Sequence, residues 1–260
     1  MNRQPGGSYP SGLFYDGRLT MVDKESYDLV SIGAHPDDVE VGTGGVLIDL
    51  GKRGYRCGIV ILTQGEMGTG GTAEIRAQEV RDAAAVLGVD ILATFDWGDT
   101  KLEDTYEHRF ELARIIRMAR PRILLAPYPH VGHGRRQSHP DHVAAGVISV
   151  NATNLAALKK ADLPGEPHLV DRVFHYFLPP GVYPNFVVDI TPHFDLWIKA
   201  LSAHQSQFLN PEKSRDYIDS LTLMARSFGM QARCRYGQGF YAVEPIVVGD
   251  IMSLAVSDEH

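Results

Sequence analysis

Cysteine is almost missing from this chain: Cys57 and Cys234 are the only two among 260 residues. They form neither a CxxC pair nor a disulfide framework, which excludes a stapled mini-domain and fits a reduced, cytoplasmic setting. Long apolar runs are missing as well. No segment approaches the roughly eighteen unbroken apolar residues of a membrane span. The start, Met1 to Asp23, carries glycine and proline but no apolar stretch of signal-peptide kind. Basic charge is in short supply, with 25 Lys and Arg against 32 Asp and Glu and a net charge of -7. Binding to a nucleic-acid backbone depends on clustered cations, so nucleic acid is not an expected partner. There is no internal repeat and no low-complexity tract.

What is present is a core-forming composition, 44% hydrophobic, in a chain long enough for one domain with a trailing subdomain. Residues 1–24 read as a flexible extension. From 25 onward apolar strands alternate with amphipathic helices: strands at 27–33, 56–63, 91–97 and 122–126, and helices from 42 to 51 or 54, about 73–87, about 105–119, and from His139 to about 158. Strands and helices joined by short connections imply right-handed crossovers, and so an α/β fold with a Rossmann-like, doubly wound, mostly parallel sheet. Beyond residue 165 the pattern changes. Strands at 172–178 and 185–190, helices at about 192–208 and 211–229, and a closing strand at 241–248 read as a small C-terminal α+β subdomain, 165–260.

Two segments carry the chemistry. Ala34-His35-Pro36-Asp37-Asp38-Val39-Glu40 follows the first strand, and His139-Pro140-Asp141-His142 follows the fourth. The carboxyl ends of parallel strands are where open α/β sheets bind ligands. A catalytic zinc takes three nitrogen or oxygen ligands and keeps a position open. His35, one of the two aspartates and His142 supply such a set. The other aspartate is free to take a proton from water. His139, tethered to Asp141, is left to steady an oxyanion or to protonate a departing amine. A lone HPDD reads equally well as a helix-capping turn, but two such clusters after two parallel strands favour a metal site. The loop Gly65-Glu66-Met67-Gly68-Thr69-Gly70-Gly71 has neither phosphate-loop spacing, and close backbone approach to a sugar suits it better.

These segments, together with Glu66, Arg76, Asp99-Thr100, His204-Gln205-Ser206-Gln207-Phe208 and Gly237-Gln238-Gly239-Phe240, resemble the LmbE-like (PIG-L) N-acetylglucosamine deacetylase superfamily over most of residues 27 to 248. Within it the chain is most similar to bacillithiol-pathway enzymes acting on N-acetylglucosaminyl malate. The resemblance implies a Zn2+ site at His35, Asp38 and His142, with Fe2+ as another candidate ion. It implies Asp37 as general base, His139 oriented by Asp141 as electrophilic and acid partner, and Arg76, Asp99 and Glu66 on the substrate side. It further implies a small amino-sugar substrate and a homo-oligomer, often a hexamer. The stretch between Tyr128 and His139 is longer than in compact members and brings His130, His133, Arg135 and Arg136 to the expected substrate mouth. Arg76 or that arginine pair would receive an anionic aglycone. Runner-up readings are cleavage of a larger thiol conjugate, deacetylation of chitin oligomers, and a catalytically silent carbohydrate- or metal-binding protein. Retention of Asp37 argues against the last, since a binder needs no base.

Overall fold

The computed structural model describes residues 26–131, 138–210 and 216–255. Its strands are β1 (Leu29–Gly33), β2 (Cys57–Ile61), β3 (Asp90–Thr94), β4 (Ile123–Pro127), β5 (Arg172–Tyr176), β6 (Phe186–Asp189) and β7 (Gly237–Ala242). They form one sheet in the order β3-β2-β1-β4-β5-β7-β6. The first five run parallel, while β7 lies antiparallel between β5 and β6. β1 and β2 are buried at every residue, as strands covered on both faces must be.

The helices are α1 (Asp38–Lys52), α2 (Ala73–Leu87), α3 (Tyr106–Ala119), α4 (Pro140–Ala157), α5 (Phe194–Ala203), the single turn α6 (Gln205–Phe208) and α7 (Tyr217–Ala232). Helices α3 and α4 cover one face, where Leu112, Ile116, Ile148 and Ala152 meet Val30, Ile32 and Leu124. On the other face Leu47, Val80, Leu87 and Trp197 from α1, α2 and α5 meet Ile59, Ile61 and Leu125. The doubly wound reading therefore holds. Chain order reverses between β1 and β4, which are direct neighbours, so the loops leaving their carboxyl ends open a crevice at the switch point. Among the described residues no helix is long and apolar enough to cross a membrane.

Helix α1 begins with glycines for a packing reason. A Cβ at Gly42 would sit 2.1 Å from the Tyr176 ring, and one at Gly45 would meet Ile190 at 2.6 Å. The bare backbone lets the helix lie against β5 and the segment after β6. Three further bonds fix it: Trp197 Nε1 donates to Glu40 O at 2.7 Å, Gln238 Oε1 accepts from Val46 N at 3.1 Å, and Gln238 Nε2 donates to Val41 O at 3.3 Å.

Two expectations about the C-terminal part need correction. The helix read at 192–208 is a 3₁₀ turn followed by α5 and α6, broken at His204, whose φ of -81° and ψ of 62° leave the helical region. The closing strand is Gly237–Ala242 rather than 241–248, and Val243 to Val248 are exposed. Residues 1–24, and the arginines at 135 and 136, lie outside the described residues.

Candidate metal centre

The loop after β1 folds back on itself: the amide of His35 donates to Asp38 Oδ2 at 2.8 Å. The same carboxylate reaches two imidazoles. Asp38 Oδ2 lies 3.3 Å from His35 Nδ1, and Oδ1 lies 3.1 Å from His142 Nε2 on the first turn of α4. Two donors held about 2.0–2.1 Å from a tetrahedral zinc stand about 3.3 Å apart, so each of these two contacts has the spacing of donors that share such an ion. Asp38 is buried, and, although burial opposes it, the His142 and His35 imidazoles hold its carboxyl well below the usual carboxylate range. The third imidazole, His139, joins His35 and His142 in a group whose ring nitrogens lie within 4.8 Å of one another.

A ligating histidine is fixed by what its other nitrogen meets. His35 Nε2 faces Asp99 Oδ1 at 3.2 Å and Asp141 Oδ2 at 3.1 Å. Those carboxylates are anchored in turn. Asp141 Oδ2 accepts from the Thr100 amide at 2.6 Å, Asp99 Oδ2 accepts from the Met67 amide at 3.0 Å, and Glu66 Oε1 accepts from the Asp99 amide at 2.7 Å. His35, Asp99 and Asp141 form a second group of closely spaced donors. Because both carboxylates already serve backbone amides, they suit the role of outer partners, leaving Nδ1 of His35 for the ion. Burial pulls the His35 pKa down, but the Asp38 and Asp141 carboxylates and Asp99 outweigh it and raise it to about 10.

The sequence reading tied Asp141 to His139, and the structure ties it elsewhere. His139 caps α4, its Nδ1 accepting from the backbone amide of Asp141 at 3.3 Å, while the Asp141 carboxylate turns to His35. The Nδ1 acceptor leaves the proton of a neutral ring on Nε2. Partial burial, then His142 and His35, lower the His139 pKa despite the pull of Asp141, which favours the neutral ring.

Asp37 sits between the donors and a buried polar layer. Its φ of 120° and ψ of -24° are a conformation that non-glycine residues avoid, and its side chain makes no helix cap. Arg76 from α2 lies behind it. One guanidinium nitrogen donates to Gly65 O at 2.7 Å, and the other to Pro36 O at 2.6 Å and to Asp37 Oδ2 at 3.2 Å. The expected contact of Arg76 with a sugar is therefore not what its position offers: the side chain is buried and turned onto Asp37. Asp99 is likewise buried and braces the loops, while Glu66 is exposed and accepts from the Asp99 amide through one carboxylate oxygen. Burial and the adjacent Asp38 raise the Asp37 pKa to about 6, although Arg76, His204 and His35 pull the other way.

Three participants were not singled out as site residues from sequence. Phe177, at a positive φ of 57°, stacks on His142 with ring centroids 4.6 Å apart. The side chains of Glu40 and His204 are buried side by side at an ion-pair distance of 3.4 Å. Glu40 was legible as the last residue of the first motif, three positions after Asp37. His204 stands in one of the segments that carry the resemblance, without a role of its own there, and Phe177 gives no sequence signal; the fold brings both to the site.

Comparison with known proteins shows what the whole chain is similar to. The family model for PIG-L, described as GlcNAc-PI de-N-acetylase, matches residues 30–153. The diacetylchitobiose deacetylase of Thermococcus kodakarensis is 32% identical over 231 residues, covering 84% of each chain. Among solved structures, the conserved protein TT1542 of Thermus thermophilus superposes with a TM-score of 0.75 at 37% identity, covering 85% of this chain and 97% of that one. The N,N'-diacetylchitobiose deacetylase of Pyrococcus horikoshii does so with a TM-score of 0.74 at 30% identity, covering 84% of each.

Proposed function

The chain belongs to the PIG-L, or LmbE-like, family of de-N-acetylases, and from that premise we propose that it is a metal-dependent hydrolase removing acetate from a small N-acetylglucosamine derivative. The observation that carries the reading is the different placement of two adjacent carboxyls. Asp38 lies 3.3 Å from His35 Nδ1 and 3.1 Å from His142 Nε2, while Asp37 beside it is turned to Arg76 at 3.2 Å. The first placement suits a ligand, and the second leaves a carboxylate next to the donors to accept a proton from water.

His35, Asp38 and His142 would hold the ion, zinc by the nature of the donors, with Fe2+ as the other candidate. Its contribution when bound is Lewis acidity toward the amide carbonyl and toward water. Asp37 takes a proton from the attacking water, whose oxygen adds to the carbonyl carbon. The Nε2 proton of His139 then meets the carbonyl oxygen as negative charge gathers there. Collapse breaks the C–N bond, the amine leaves with a proton relayed by Asp37 or His139, and acetate is the second product. Asp99 and Asp141 keep His35 in the tautomer that offers Nδ1 to the ion.

Two substrates stand out. N-acetylglucosaminyl malate follows from the motif resemblance, and diacetylchitobiose from the relatives. Arg76 is committed to Asp37, which leaves Arg135 and Arg136 as the candidates for an anionic aglycone. A homo-oligomer is supported by exposed apolar side chains near the end of the chain, among them Val247, Ile251 and Met252. The test is a panel of N-acetylglucosamine, diacetylchitobiose and N-acetylglucosaminyl malate, assayed for acetate and free amine after reconstitution with zinc. We expect stoichiometric release of both products from at least one compound. Amine-free turnover, or none with any metal, would overturn the reading.

A further inference from the structure

Beside the donor set lies a cavity of about 340 Å³. Its walls include Phe177, Leu178 and Pro179 after β5, Met224 and Phe228 on α7, and the ring of Trp197 on α5. His142 belongs to the same lining, so the cavity is continuous with the proposed metal centre. We infer that this cavity holds an apolar substituent of the substrate, an alkyl or aryl group borne either by the sugar or by the acyl group that is cleaved. The inference rests on the deacetylase reading and goes beyond it in naming the chemistry next to the reacting amide.

Size and polarity carry the argument. At roughly 30 Å³ for each water-sized group, the cavity has space for about eleven of them, far more than an acetyl methyl fills. A second sugar of that size would bring several hydroxyls, each needing a partner when buried. The lining does not offer them. Tyr176 Oη is spent on Ile32 O at 2.5 Å, Trp197 Nε1 on Glu40 O at 2.7 Å, and the Gln238 amide on the backbone of α1. Of the polar side chains in the lining, His142 and the Ser138 hydroxyl are left among the described residues, and the hydroxyl is buried with no hydrogen-bond partner there. No lysine or arginine lines the cavity among those residues. One polar atom pair next to a mostly hydrocarbon wall suits an amphiphile.

Two substrate series test this and separate the two sources. One lengthens the N-acyl group of glucosamine from acetyl to octanoyl. The other lengthens the alkyl glycoside of N-acetylglucosamine from methyl to octyl. In one series kcat/KM should climb about fourfold per methylene until the cavity is filled, and the rising series identifies which substituent enters. Met224→Trp, which fills the cavity from α7, should lower the octyl-to-methyl or octanoyl-to-acetyl ratio at least tenfold, while Phe228→Ala should move the optimum to longer chains. If both series were flat, the inference would be overturned while acetate release upheld the deacetylase reading. If no compound turned over, that reading would fail instead, and calorimetric binding of the same series to the full chain would decide the cavity. Tighter binding of long chains, lost in Met224→Trp, supports it, and equal binding of all chain lengths overturns it.

Discussion

At the scale of the residue, Asp37 and its neighbour Arg76 make the sharpest expectations. Asp37→Asn keeps the shape of the side chain but removes the proton acceptor, so turnover should fall by about 10²–10⁴ while metal content stays unchanged. A variant that still turned over normally would put the base elsewhere. As a base, Asp37 acts only when ionised, and with its pKa raised to about 6 activity should be lost as pH falls through that value. Arg76 pulls that pKa down, so Arg76→Met should move the acid limb of the kcat/KM profile to higher pH. An unshifted limb in a folded, metal-loaded variant would count against this pairing. For Asp141 the expectation is different. Asp141→Asn, and Asp99→Asn with it, should weaken zinc binding about 10- to 100-fold through His35, measured by competition with a chelator, with part of the turnover returning at saturating zinc. Had Asp141 served His139 instead, metal affinity would not move.

At the scale of the element, Arg117 on α3 does for α4 what no residue within α4 does. Its guanidinium donates to Ala156 O, Leu158 O, Leu163 O and Gly165 O, gathering the carbonyls at the end of α4 and in the turn that follows. Arg117→Met should destabilise the chain by about 2–4 kcal/mol in denaturant unfolding, with little change in kcat, because the buried carbonyls lose their donors. The same scale shows what local sequence could and could not tell. The parallel strands were legible because burial on both faces demands an unbroken apolar run, as in Leu29–Gly33. β7 was misread because Gly237-Gln238-Gly239 looks like a turn. A Cβ at Gly239 would approach the Phe228 ring to 3.0 Å, and one at Gly237 would reach Val187 at 2.5 Å, so the glycines are where neighbouring elements press against the strand. Val247 and Val248 looked like strand residues, yet they stay exposed, since propensity without a neighbouring strand makes no ladder.

At the scale of the whole molecule, the ion's proposed ligands come from the two sides of the switch point, so its binding should stabilise the fold as a unit. At a free zinc concentration about 1,000 times Kd the gain is about 4 kcal/mol, visible as a rise in Tm that EDTA reverses. The sign with pH follows from His35. Its folded pKa of about 10 lies above the ordinary 6.5, so in the metal-free chain its charged form adds stability that is fully present below 6.5 and lost as pH rises through 10. Zinc must displace that proton. The zinc-induced rise in Tm should therefore be larger at pH 8 than at pH 5.5, and a larger rise at the lower pH would contradict the ligand set. The sequence already held the loops that assemble here, because His35, Asp37, Asp38, His139, Asp141 and His142 stand in two short motifs after two strands. It did not hold the direction in which Arg76 points or the swing of the Asp141 carboxylate, since a long or branched polar side chain near a loop has several partners in reach and only packing selects one.

Most of the cavity's apolar wall has a different address along the chain, although Val41, Gly42, Ser138 and His142 also line it. Every group assigned to the reaction lies between His35 and His142, whereas Phe177 to Pro179, Trp197, Met224 and Phe228 all come later. The proposed reaction and most of the apolar wall thus draw on successive stretches of one polypeptide, with α1 as the seam between them through Trp197 and Gln238. Substitutions at Met224 or Phe228 therefore reshape the wall without altering any proposed metal ligand, so the range of compounds bound can be changed separately from the ion's own donors.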